Sequence, residues 1–197
     1  MSFNAVSDKA LAASKNSKMP KSFWSWDDML NMNKVGFFPY TPATQMLHGL
    51  AAGIEMLHEE GLDNVFARHE RLAEATRRAV RAWGLEILCL NPAEFSSSLT
   101  AVLMPEGHSE IRFREAVLER FNLSLGSGLT KVRDKVFRIG HLGDFNDLML
   151  CGTLSGIEMG LELARVPHKN GGVDAAMDYL ARAEQAQAKS DAKARAA

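Results

Sequence analysis

The chain has 197 residues, of which 46% are hydrophobic and 24% charged, so it is long enough for one or two small globular domains. A formal net charge of −1 argues against nucleic acid or an acidic membrane surface as a partner, and no apolar run approaches the length of a membrane span. Only Cys89 and Cys151 occur, without metal or redox spacing, and the first residues lack the layout of a signal peptide. We therefore expect a soluble α/β protein of the cytoplasm.

The first sixty residues predict short elements followed by one longer helix. Residues 2–6 are predicted as a strand, and Ser7 is expected to cap a short helix. Residues 15–34 are polar, aromatic and irregular, and rings such as Trp24 and Trp26 normally pack against other protein. A helix is expected from about Pro42 to Gly61, because its apolar residues recur at helical spacing and glycine commonly ends a helix.

The order of helices and strands predicted after residue 60 indicates a small antiparallel or mixed sheet that helices cover on one face. Residues 169–197 form an Ala-rich tail, with a helix over 175–188 that has a thin apolar face and disorder from 189 onward. Residues 63–83 are predicted as a helix with Phe66 in its buried stripe and arginines on a solvated outer face. The other predicted elements, in chain order, are strands over 85–90 and 99–104, a helix from Ser109, strands over 123–125 and 135–143, and a helix capped by Asp144.

Arg138 is the most informative residue, because it lies in the middle of a short apolar strand. A guanidinium group is always charged, so its burial without an anionic partner is costly. One explanation is an ion pair with a carboxylate of the same chain. The other is a fork of hydrogen-bond donors that binds a substrate carboxylate in bidentate geometry. The residues alone leave both open.

Other motifs carry weaker signals. Thr41 precedes the predicted helix start at Pro42, so its hydroxyl suits either an anion at the helix N-terminus or a simple cap. His141, beside the Arg138 strand, is the histidine best placed to line a site. The histidines lack metal-ligand spacing, so no protein-bound metal is expected. Residues 126–128 read as a glycine turn, since they lack the spacing of a phosphate-binding loop.

Four ordered segments together resemble a known family. They are SFNAVSDKA at 2–10, FPYTPAT at 38–44, EGLDNVFARH at 60–69 and KVFRIG at 135–140. This order resembles the C-terminal half of class V, fold-type I pyridoxal-phosphate (PLP) aminotransferases, in particular the serine–glyoxylate (alanine–glyoxylate) aminotransferase family. The resemblance extends to about residue 172.

The resemblance implies roles for three residues. Arg138 matches the arginine that binds the α-carboxylate of the amino acid or 2-oxo acid, and Thr41 matches a threonine that reaches the cofactor phosphate held by the other subunit of a homodimer. Phe38 stands where relatives often carry a tyrosine near that phosphate. Residues 1–60 would be a remnant of the large cofactor domain, and residues 61–168 the small α+β domain.

The resemblance also implies that the catalytic lysine is missing. In the family, the lysine that forms the Schiff base lies upstream of the segment matching residues 2–10, and Lys9 matches a different position. No residue of this chain is therefore assigned as catalytic, and the chain alone is expected not to move an amino group from serine, alanine or glycine to glyoxylate or pyruvate. The alternative function is a non-catalytic small domain that binds a carboxylate or dimerises.

Overall fold

Three helices make up the first part of the chain in the computed structural model, which describes residues 2–182. They are α1 (Asp8–Ser14), α2 (Trp26–Lys34) and α3 (Thr44–Glu60). This compact unit ends at Glu60, and a second begins at Gly61. None of residues 2–60 is buried, although α3 carries many apolar side chains.

The sequence predictions for this unit are partly correct. Ser7 caps α1 through its side-chain oxygen, as expected. Residues 2–6 are not a strand, because no neighbouring segment of the described chain pairs with them. Residues 15–34 are not wholly irregular, because Ser25 caps α2 by accepting a hydrogen bond from the Asp28 amide.

The second unit is a four-stranded antiparallel sheet with helices packed on one face, which confirms the predicted class of fold. The strand order is β1-β2-β4-β3, so the strand with Arg138 is central. The strands are β1 (Glu86–Ile87), β2 (Leu99–Leu103), β3 (Gly126–Ser127) and β4 (Val136–Gly140), and the helices are α4 (Leu62–Ala82), α5 (Glu110–Phe121), α6 (Asp147–Leu163) and α7 (residues 172–182).

One hydrophobic core joins the sheet to its helices. Phe113 of α5 and Phe137 of β4 pack with ring centroids 4.8 Å apart. Helices α5 and α6 approach closely at Gly160, where a Cβ atom would collide with Val117. The core side chains come from every layer: Leu72, Val80, Trp83, Val102, Phe113, Val117, Phe137, Ile139, Leu150, Leu154, Ile157 and Leu161.

Several predicted details of this unit are wrong. Phe66 is 61% exposed, although the helical pattern placed it in the buried stripe of α4. Arg77 is buried instead of solvated, and it pairs with Glu70 and Glu74 while its guanidinium stacks on the Phe95 ring.

Boundaries also shift. The strand predicted at 123–125 lies at 126–127, so the expected glycine turn is in part a strand. The strand predicted over 85–90 is reduced to 86–87. Helix α6 is capped by Asn146 and not by Asp144. In the predicted tail, α7 begins at residue 172, and Ala176 and Leu180 are buried in the common core; the segment predicted as disordered, 189–197, lies outside the described residues.

Candidate functional site

Arg138 lies on the face of the sheet opposite the helices. Strand side chains alternate between faces, and Phe137 and Ile139 on either side of Arg138 are fully buried in the core. The arginine is only partly buried. Its cross-strand neighbours are Ala101 on β2 and Gly126 on β3, so small residues flank it on both sides.

The guanidinium of Arg138 has no carboxylate partner among residues 2–182. Within the described part of the chain, residues 2–182, it forms no ion pair and no hydrogen bond, and its Nε atom is enclosed without an acceptor. The ion pair that the sequence left open is therefore not formed there. An enclosed charged donor without an acceptor is energetically unfavourable.

His141 fixes the end of the Arg138 strand and does not line an open site, because its ring is fully buried. Its Nδ1 lies 3.0 Å from the carbonyl oxygen of Ser97, and its Nε2 lies 3.0 Å from the hydroxyl of Thr100. Burial, followed by the nearby charge of Arg77, lowers its pKa from 6.5 to about 4, although the Ser97 hydrogen bond opposes the shift. The ring is therefore neutral at pH 7.

Two residues of α4 hold the loop that follows this strand. Arg68 donates to the carbonyl oxygens of Gly143, at 2.7 Å, and of Phe145, at 3.2 Å. The Gly143 amide donates to Nε2 of His69 at 3.1 Å. Sequence reasoning missed both residues as supports for this loop, since they are about 75 positions from their partners and no local pattern connects them.

Thr41 lies in the other unit, three residues before the first residue of α3. It is exposed, and its hydroxyl makes no hydrogen bond to any residue from 2 to 182. Helix α3 starts at Thr44 and not at Pro42 or Ala43, so Thr41 does not act as its cap. The hydroxyl remains available for a ligand.

Phe38 borders an apolar groove in the first unit. The groove has a volume of about 530 Å³, and Phe3, Trp26, Leu30 and Leu47 also line it. Phe38 is half exposed, and an aromatic ring without a hydroxyl offers no hydrogen bond to a phosphate.

The described residues offer little to a phosphate-bearing cofactor. A phosphate group accepts several hydrogen bonds. Of the two residues predicted to lie near the phosphate, Thr41 and Phe38, only Thr41 has a side chain that can donate one. This fits one phosphate contact and is too little to hold the cofactor. Residues 2–182 contain no group of three or more His, Cys, Asp and Glu side chains that could hold a metal ion, and no helix among them is long and apolar enough to cross a membrane.

Comparison with known proteins identifies relatives over most of this chain. It is 48% identical over 181 residues to serine–glyoxylate aminotransferase from Hyphomicrobium methylovorum, with 90% of this chain and 45% of the relative aligned. It is also 48% identical over 177 residues to serine–glyoxylate aminotransferase from Arabidopsis thaliana, with 89% of this chain and 44% of the relative aligned. No family model matches the sequence.

Solved structures of other proteins share this fold. The crystal structure of pyridoxamine–pyruvate aminotransferase from Mesorhizobium loti superposes with a TM-score of 0.80 at 28% identity, over 90% of this chain and 46% of that one. The chain thus spans somewhat less than half the length of these relatives. Over its own length it is similar to the C-terminal half of serine–glyoxylate aminotransferases, and its fold is similar to that half of PLP-dependent, fold-type I aminotransferases.

Proposed function

We propose that this chain provides the substrate-carboxylate site of a serine–glyoxylate-type aminotransferase, with Arg138 as the residue that binds the carboxylate. The observation that carries the proposal is the guanidinium on the open face of the sheet, which forms no ion pair and no hydrogen bond among residues 2–182. A planar fork of donors matches the two oxygens of a carboxylate.

A single arginine suits the substrates of such a reaction. The amino donor (serine, alanine or glycine) and the acceptor (glyoxylate or pyruvate) share one feature, a carboxylate next to the reacting carbon. An anchor for that carboxylate therefore positions both substrates with the same geometry, and orientation of this kind contributes substantially to rate.

A second part of the proposal concerns the cofactor phosphate. The exposed hydroxyl of Thr41 is proposed to donate to the phosphate of PLP held by a second subunit, and Phe38 to lie near that phosphate without a polar contact. When bound, PLP supplies the electron sink for amino-group transfer. Residues 1–60 would then be part of the large cofactor domain of a cytoplasmic homodimer, and the unit from Gly61 its small domain.

The chain alone is expected to be inactive as an aminotransferase. Amino-group transfer needs a lysine that forms a Schiff base with the cofactor, and no lysine of this sequence matches that position of the family. Co-expression with an N-terminal half of a relative, which carries the lysine, is expected to restore serine–glyoxylate activity and the absorption band of the bound cofactor.

The complemented enzyme tests Arg138. Replacing Arg138 by Ala is expected to lower kcat/KM by about 100-fold, or about 3 kcal/mol, because a charge-assisted bidentate pair is lost. Arg133→Ala provides the control, since Arg133 is an exposed arginine just before the same strand. Equal activity of the Arg138 and Arg133 variants would contradict the proposal. A folded chain that binds carboxylates but never complements would favour the non-catalytic binding module.

A further inference from the structure

The side chain of Arg138 lies directly across Gly126 of the neighbouring strand. A Cβ atom placed on Gly126 would be 3.1 Å from the Cβ of Arg138, 3.1 Å from its Nε and 3.5 Å from its Cζ. Facing Cβ atoms of antiparallel strands are ordinarily about 4.5–5.5 Å apart. A side chain at position 126 would therefore be in tight contact with the arginine unless one of the two moved.

Backbone conformation does not explain why this position is glycine. The glycines with positive φ include Gly36, Gly61 and Gly84, but not Gly126. Residue 126 also pairs in register with Arg138 in a regular antiparallel ladder. A glycine inside a strand often marks a place where another group approaches closely, and here that group is the arginine side chain.

The contact divides the donors of the guanidinium into two sets. Nε is enclosed above Gly126 and has no acceptor. The two terminal nitrogens, Nη1 and Nη2, are not enclosed, and they bind no acceptor in the described chain. The terminal pair is therefore the side of the guanidinium on which we expect a carboxylate to bind, since Nε is enclosed.

From this geometry we infer that Gly126 is a positioning residue, which lets Arg138 lie across β3 and present Nη1 and Nη2 end-on to the substrate carboxylate. The inference rests on the proposed function of Arg138. A methyl group at position 126 would contact the Cβ and Nε of Arg138 more closely than is normal, so the guanidinium or the edge strand would have to move by a few tenths of an ångström. Either change would misalign the pair of hydrogen bonds, which depend steeply on angle.

Binding of pyruvate to the isotopically labelled 197-residue chain, followed by NMR titration, tests this inference without the cofactor. The Nε–Hε signal of Arg138 is identified as the one missing from Arg138→Ala. In Gly126→Ala we expect that signal to shift before any pyruvate is added, and the Kd for pyruvate to rise about tenfold, as for the loss of one charge-assisted hydrogen bond. A merely structural role would lower stability to urea and leave the Kd of the folded protein unchanged.

Gly152→Ala is the control for the same chemical change. Gly152 lies exposed on α6, and a Cβ there would meet no atom within 4 Å, so the Kd for pyruvate and the Arg138 signal are expected to stay as in the unmodified chain. An unchanged Kd and Nε–Hε signal in Gly126→Ala, with binding that still depends on Arg138, would overturn the inference alone. Pyruvate binding that is insensitive to Arg138→Ala would instead overturn the proposed function.

A second measurement needs no variant to fold. In the unmodified chain, the Hα protons of Gly126 are expected to show nuclear Overhauser contacts with the Hδ and Hε protons of Arg138, given Cβ and Nε positions so close to Gly126. The presence of these contacts supports the inference, and their absence overturns it.

Discussion

At the scale of single residues, His141 makes stability depend on pH. Its neutral ring bonds Ser97 and Thr100, and burial lowers its pKa to about 4, against 6.5 in an exposed chain. The unfolded chain therefore binds the proton more tightly, so this contribution is complete above about pH 6.5 and is lost as the pH falls toward 4. Between pH 7 and pH 5 we expect a loss of about 2 kcal/mol in the free energy of unfolding.

Urea unfolding of the unmodified chain and of His141→Asn, each at pH 7 and pH 5, measures this contribution. Asparagine keeps a donor for the Ser97 carbonyl but does not titrate, so its free energy of unfolding should fall less over this interval. The other histidines are present in both proteins, so their contribution to the pH dependence cancels in the comparison. The same pH dependence in both proteins would show that His141 is not the titrating group.

At the scale of elements, α7 is a structural part of the small unit. Glu158 of α6 anchors its start, accepting hydrogen bonds from the amides of Gly171 and Val173 and from Nε1 of Trp83. Burial raises the pKa of Glu158, but these bonds outweigh it and hold the pKa below its usual value. The carboxylate is therefore charged at neutral pH and ties together α4, α6 and the start of α7.

Two substitutions in α7 test whether this helix belongs to the core. Leu180 is 4% exposed and Met177 is 45% exposed on the same helix. We expect Leu180→Ala to lower the free energy of unfolding by about 2–3 kcal/mol, because it leaves a cavity, and Met177→Ala by less than about 0.5 kcal/mol. Equal effects in urea unfolding would mean that α7 does not pack as described.

At the scale of the whole molecule, the two units differ in how much they bury. Helices α3 and α6 have 17 residues each, but α3 buries none of them, whereas α6 buries six. Most of the stability of a helix in a protein comes from the packing of its apolar face. We expect backbone amides of α3 to exchange with deuterium at least about 100-fold faster than those of α6 in the chain alone.

The same exchange measurement can be made on the enzyme formed by co-expression with the N-terminal half of a relative. If α3 contributes its apolar face to an aminotransferase dimer, its amides should exchange more slowly in the co-expressed enzyme than in the chain alone, while those of α6 should change little. Equal protection of α3 and α6 in the isolated chain would contradict the difference in burial.

Local signals of the sequence were reliable where the physics is local. Side-chain caps such as that of Ser7 depend on a residue three positions away, and this cap was correctly predicted, as was the start of a helix at Ser109. The strand around Arg138 follows from alternating apolar residues. The prediction of Asp144 as the cap of α6 was wrong; Asn146, two residues later and also of a residue type that caps helices, is the cap.

Predictions failed where packing overrides pattern. Phe66 fits the helical spacing of the buried stripe but is exposed, and Arg77 fits the solvated stripe but is buried beside Glu74 and Phe95. Helix α2 was missed because its apolar and polar residues do not form a buried stripe; none of its residues is buried.

The sequence by itself determined the class of fold and the family resemblance and singled out Arg138 for its charge within an apolar strand, because residue pattern, capping and segment order are properties of neighbouring residues. Only the tertiary structure decided that Arg138 has no carboxylate partner among residues 2–182, that Gly126 lies beneath its side chain, and that His141 is buried. These facts depend on contacts between residues 12 to 44 positions apart, which strand register and helix packing establish and local sequence does not.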